Sequence, residues 1–173
     1  MNSERGPFHV IPVRLPFTVY CLLFTLFLET NMPTSSASAV WQGGLKGGRG
    51  HFKAGSGAFE GDYSFQTRFE GARGTNPEEL IAAAHAACLS MALSGGLEKG
   101  GTPPTSISTK ASCTVEKVGE GFKITRMRLE VRGKVPGMNQ EAFAKAAEDA
   151  KKGCPVSGAL QGNVQFDLDA KLE

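Results

Sequence analysis

The chain has 173 residues, 40% hydrophobic and 21% charged, the length and composition of one ordinary globular domain and not of a disordered segment. Its formal net charge is +2, with Lys and Arg spread along the sequence and no basic block, so nucleic acid is not an expected partner. The four cysteines, Cys21, Cys88, Cys113 and Cys154, never occur as C-x-x-C, which excludes zinc-finger and thioredoxin-type motifs, and a chain of this size needs no disulfide framework.

Residues 1–31 stand apart from the rest. Phe17 to Leu28 is apolar except for two threonines, but at about twelve residues it is short for a bilayer span. Arg5 and Arg14 precede it and Ser36-Ala37-Ser38-Ala39 follows, the order of a signal peptide. Pro7, Pro12, Pro16 and Glu29 argue against a membrane helix, and the preferred reading is that the domain begins at Met32 and runs to Glu173. A cytoplasmic protein without stable membrane association is expected on that reading, and an exported one if residues 1–31 act as a signal.

Val40–Leu45, Gly50–Ala54 and Tyr63–Phe69 read as short strands separated by glycine turns. At Thr75-Asn76-Pro77-Glu78-Glu79 the pattern changes to a helix start, with Asn76 as N-cap, Pro77 in the first helical position and two acids in the first turn. The LIAAAHAACLSMAL stretch that follows is apolar nearly all round and predicts a helix buried on most sides, loosened and ended by Gly95-Gly96 and Gly100-Gly101. Ser106–Val118 and Phe122–Val135 predict a hairpin through Gly119-Glu120-Gly121. Asn139–Lys152 reads as a second helix, Cys154 to about Leu160 as a short one opened by Pro155, and Val164–Leu172 as a last strand. The class is α+β.

Walker A, Rossmann, HExxH and serine-elbow motifs are all missing, so the chemistry falls to the cysteines. Cys88 lies about three turns into the central helix, where the dipole has faded, so a reactive thiolate there needs a cation from elsewhere. Cys154 sits before a proline at an N-cap, where free N–H groups favour a thiolate. Residue physics alone leaves the two even as nucleophiles. His85 shares a face with Cys88, but two ligands are too few for structural zinc, and a hydrogen-bonded core histidine is the expected state. Cys113, Met91 and Met127 read as packing residues. No metal or cofactor site is expected.

The segment Thr75 to Leu93, TNPEELIAAAHAACLSMAL, resembles the central helix motif of the OsmC family (osmotically inducible protein C), and Gly153-Cys154-Pro155-Val156-Ser157 resembles its second cysteine motif. Ser38-Ala39-Val40-Trp41 and Thr67-Arg68-Phe69-Glu70-Gly71 are similar to the family's strand signatures, and the likeness runs from about Met32 to Glu173. His85-Ala86-Ala87-Cys88 is closer to the OsmC branch than to the organic hydroperoxide resistance branch, and Leu89 replaces a phenylalanine common there. The resemblance implies antiparallel sheets around a long buried helix and an intertwined homodimer with active sites at the subunit interface. It implies a thiol peroxidase of the oxidative and osmotic stress response that reduces organic hydroperoxides and, more weakly, hydrogen peroxide. It makes Cys88 the peroxidatic and Cys154 the resolving cysteine, with Arg68 and Glu78 in a polar cluster at the reactive thiol, and a small external dithiol such as dihydrolipoamide as reductant.

Geometry adds one constraint. If Glu78 and Cys88 lie on one unbroken helix, they are separated by roughly 15 Å of rise and about 80° of turn, so Glu78 meets a Cys88 only across a subunit boundary or a helix break. The competing function is a redox-sensing or ligand-binding module of the same fold with little turnover. A hydrolase using Cys88 with His85 is a weaker one, since no third orienting residue is visible.

Overall fold

The structure is a computed structural model that describes residues 33–173; the apolar segment before Met32 and Cys21 lie outside the described residues. Three short strands come first: β1 (Ala37–Gln42), β2 (Arg49–Ala54) and β3 (Glu60–Ser64), in the order β1-β2-β3. Strands β2 and β3 pair antiparallel, with Phe52 opposite Gly61 and Gly50 opposite Tyr63. A Cβ on Gly50 would collide with the Tyr63 ring, so the ring lies flat over the neighbouring backbone.

The segment read as a strand through Phe69 stops being one at Ser64. Helix α1 (Phe65–Phe69) takes over, because Ser64 accepts from the Thr67 amide (3.1 Å) and the Thr67 hydroxyl accepts from the Ser64 amide (2.9 Å), a reciprocal capping box. Helix α2 (Pro77–Lys99) starts as expected, with the Asn76 side chain accepting from Glu79 N–H at 2.8 Å and Pro77 in the first turn. It runs through Gly95-Gly96 without interruption and ends at Gly100.

The second sheet holds β4 (Ser106–Val118), β5 (Gly121–Lys134) and β6 (Gln165–Leu172), in that order. The hairpin between β4 and β5 turns at Gly119, whose φ of 63° is the left-handed conformation a glycine supplies at no cost. Helix α3 (Gln140–Gly153), capped by Asn139, and the short α4 (Pro155–Leu160) connect β5 to β6. This crossover returns β6 alongside β5 in parallel, Leu129 opposite Leu168, so the sheet is mixed and not wholly antiparallel.

Both long helices pack on the sheet, and the core lies between them. Met127, Leu129 and Val131 of β5 face Leu89, Leu93 and Leu97 of α2 and Phe143 and Ala147 of α3. The expected burial of α2 on most sides is not met within one chain. One stripe is buried, Glu78, Ala82, His85, Leu89, Leu93 and Leu97, while Met91, expected as a packing residue, is 77% exposed. Met127 is fully buried, and Cys113 is half-buried at the edge of the core.

Candidate active site

The fold brings the four sequence-predicted site residues together as two pairs. The first is made by the crossover. Cys154 closes α3 and caps α4, at φ −75° and ψ 120°, with Pro155 as the first residue of the new helix. Because α4 packs against α2, Cys154 Sγ lies 3.0 Å from Cys88 Sγ, although 66 positions separate them in sequence. Both thiols are free; Cys154 is buried and Cys88 partly exposed.

The two sulfurs are electrostatically unequal. Burial raises the Cys88 thiol above its usual range, the adjacent Cys154 thiol adds to the rise, and the Val156 amide opposes it; no cation among the described residues contributes. Burial also opposes ionisation of Cys154, but the adjacent Cys88 thiol and the polar groups of Ser157 and Val156 at the start of α4 outweigh it and bring that thiol down. Within one chain, then, Cys154 is the readier of the two to ionise, as its helix-start position suggests. Cys88 still lacks the cation that the sequence said it would need.

The second pair supplies a cation, but at a distance. Arg68 of α1 donates from Nε to both Glu78 oxygens (3.1 Å each) and from Nη2 to Oε1 (2.6 Å), a forked ion pair on a nearly buried carboxylate. Asn76 joins the two helices that carry them, since its Nδ2 donates to Thr67 O at 3.3 Å while its Oδ1 caps α2. The guanidinium also lies 5.0 Å over the Phe69 ring, and Phe69 packs on Phe65 and Phe122. Arg68 is thus not an isolated strand charge. Since α2 is continuous from Glu78 to Cys88, the two pairs are roughly 15 Å apart along its axis.

His85 is where a core histidine should be. It is fully buried, its ring 2.8 Å from Ser157 Oγ through Nε2 and edge-on to Phe166, and burial lowers its pKa, so it is neutral. Its Nε2 is taken up by Ser157. The sequence reading named Ser157 only as the last residue of the second cysteine motif and gave it no role; its place three residues after an N-cap cysteine was the available signal.

The family model described as OsmC-like protein matches residues 70–169. The chain belongs to the OsmC family. It is 47% identical over 134 residues to peroxiredoxin OsmC of Escherichia coli strain K12, covering 77% of this chain and 94% of that protein. It is 33% identical over 129 residues to the organic hydroperoxide resistance protein OhrB of Bacillus subtilis, covering 73% and 93% of the two chains. In three dimensions it matches the crystal structure of an organic hydroperoxide resistance protein OsmC from Legionella pneumophila, with a TM-score of 0.69 at 26% identity over 82% of this chain and 99% of the other. Both branches of the family thus share the OsmC fold with this chain.

Proposed function

We propose that the chain is a cysteine-based peroxidase that reduces organic hydroperoxides, in which Cys88 is oxidised first and Cys154 resolves it. The observation that carries this reading is the 3.0 Å approach of the two sulfurs, which only the α3–α4 crossover brings about. The Cys88 thiolate attacks the distal peroxide oxygen, the O–O bond breaks and the alkoxide leaves as the alcohol with a proton. Cys154 then attacks the resulting sulfenic acid, giving a disulfide and water, and an external dithiol restores both thiols.

Thiolate formation on Cys88 needs a positive charge, and Arg68 of a second copy is the group we assign to it. Two features support that assignment: Arg68 is held on Glu78 at the start of α2, roughly 15 Å along that helix from Cys88, and the α2 face beside Cys88 is uncovered in the single chain, with Met91 77% exposed. Glu78 holds the guanidinium in place. Ala84 and Met91, one turn either side of Cys88, give that face an apolar character that rewards a hydroperoxide with a carbon tail over hydrogen peroxide. A reducing cytoplasm would supply the dithiol, with dihydrolipoamide a chemically suitable donor.

The test is repeated turnover with cumene hydroperoxide or hydrogen peroxide and dihydrolipoamide, followed by dithiol consumption. We expect many equivalents to be consumed, faster with the organic peroxide, and none by Cys88→Ser, which is near-isosteric but far less nucleophilic. Consumption of a single equivalent would instead favour a redox sensor.

A further inference from the structure

His85 is a buried titratable side chain for which the peroxidase steps have no use. It and Ser157 are 0% and 5% exposed, and their contact spans 72 positions of sequence. A polar pair in an apolar core carries a desolvation cost that two well-packed apolar side chains would avoid. The cost is not fully recovered, since His85 Nδ1 is buried with no partner among the described residues. The position of the pair is not arbitrary either. His85 precedes Cys88 by three residues on α2, and Ser157 follows Cys154 by three on α4, so the contact lies one helical turn from each sulfur.

The orphan nitrogen settles the proton's place. Were Nδ1 protonated, a buried N–H would have nothing to donate to; with the proton on Nε2, Nδ1 is left as a lone pair and Nε2–H donates to Ser157 Oγ. The Ser157 hydroxyl hydrogen is then free to serve another acceptor, and Cys154 lies one turn back at the start of the same helix, its ionised form favoured by the Ser157 side chain.

We propose that His85 and Ser157 are positioning residues for the resolving step, a relay in which His85 Nε2–H donates to Ser157 Oγ and the Ser157 hydroxyl donates to Cys154 Sγ. The relay holds the attacking sulfur ionised and in line with Cys88. This rests on the peroxidase reading above, in which an organic hydroperoxide has already converted Cys88 to its sulfenic acid. Cys154 sulfur attacks Cys88 sulfur, an S–S bond forms and the S–O bond of the sulfenic acid breaks. Cys154 is oxidised, Cys88 is reduced from sulfenic acid to disulfide, and the departing hydroxide takes the proton released by the Cys154 thiol and leaves as water. Neither His85 nor Ser157 is consumed or changes protonation overall.

The magnitude follows from the thiol chemistry. Loss of a donor that raises the Cys154 pKa by one unit removes about nine-tenths of its thiolate at neutral pH. The remaining thiolate is about threefold more nucleophilic, so the net slowing is about threefold from ionisation alone, and larger where alignment is lost as well.

The experiment is a single turnover of the full chain with one equivalent of cumene hydroperoxide. Loss of the Cys88 thiol and appearance of the Cys88–Cys154 disulfide are timed separately, and sulfinic acid is quantified by mass spectrometry. Ser157→Ala and His85→Phe remove one donor each; Ser157→Thr and His85→Gln retain one. We expect the first step to be unchanged in all four. Disulfide formation should slow at least about threefold in Ser157→Ala and His85→Phe, with a matching rise in sulfinic acid at excess peroxide, and recover in Ser157→Thr and His85→Gln. Disulfide formation at the wild-type rate in both donor-removing variants overturns the relay and leaves the peroxidase reading intact. Equal slowing of both steps, with no recovery in the conservative variants, overturns it in favour of a packing role. A wild-type chain that takes up peroxide without forming this disulfide removes both the relay and the two-cysteine mechanism.

Discussion

The division of labour between the two cysteines can be separated by removing one of them. In Cys154→Ser the first equivalent of peroxide should still be consumed, because the oxidised sulfur is Cys88. Without a thiol 3.0 Å away the sulfenic acid persists, and a second equivalent carries it to sulfinic acid. Activity should therefore decay over repeated turnovers, and the mass of the Cys88 peptide should rise by two oxygens. A crosslink from Cys88 to Cys113 in this variant would reassign the resolving role. Cys113 is a poor candidate, since burial and the nearby Glu78 charge both raise its thiol.

The helices and strands that carry these residues depend on a few close contacts. Gly133 of β5 is one: a Cβ there would collide with the Phe143 ring of α3, and that ring is fully buried with nowhere to move. Gly133→Ala should cost about 1–3 kcal/mol through overpacking and lower the melting temperature by roughly 3–10 °C. An unchanged melting curve would mean that α3 can slide on the sheet. What the sequence revealed at this scale followed the range of each signal. Asn76-Pro77 announced the start of α2 because capping is local chemistry, and the β4–β5 hairpin was readable from its turn glycines. Tyr63–Phe69 was misread because aromatic and β-branched residues look strand-like, while the winning contacts were the Ser64–Thr67 cap and a Phe65–Phe69 pair spaced for a helix. The parallel direction of β6 was not legible, since a crossover through two helices permits either sense and only long-range packing decides. The proximity of Cys88 and Cys154 depends on that same crossover, so no local spacing could have disclosed it; a family likeness could.

At the scale of the whole molecule, the proposed role of Arg68, together with the separation of Arg68–Glu78 from Cys88–Cys154, predicts that one chain is an incomplete catalyst. If the cation comes from a second copy, activity should survive in a mixed dimer of two defective chains. Arg68→Met leaves its own Cys88 intact, and Cys88→Ser keeps its own Arg68. Each variant alone should be inactive or slow. Refolded together in equal amounts, they should recover about a quarter of wild-type activity, since half of the random dimers contain one complete site of two. No recovery would place both groups in one chain. Light scattering should show the active species as a dimer. In the Arg68→Met protein the peroxide-dependent pH–rate profile should move to higher pH, because a thiol without its cation ionises later, and the rate at neutral pH should fall about threefold for each unit of displacement once the greater nucleophilicity of the remaining thiolate is included.

The 66 positions between Cys88 and Cys154 also tie the oxidation state of the protein to its folding stability. A bond closing a loop of that length removes about 4 kcal/mol of conformational freedom from the unfolded chain, so the oxidised protein should melt on the order of 10 °C above the reduced one. Thermodynamic linkage runs both ways: the fold must favour the bond by as much as the bond favours the fold, which makes it roughly 90 mV harder to reduce than the same bond in the unfolded chain. A monothiol reopening such a bond must compete with a neighbouring sulfur held at very high effective concentration, and its mixed disulfide is expelled almost as soon as it forms. A reductant with two thiols escapes that competition by closing a ring of its own.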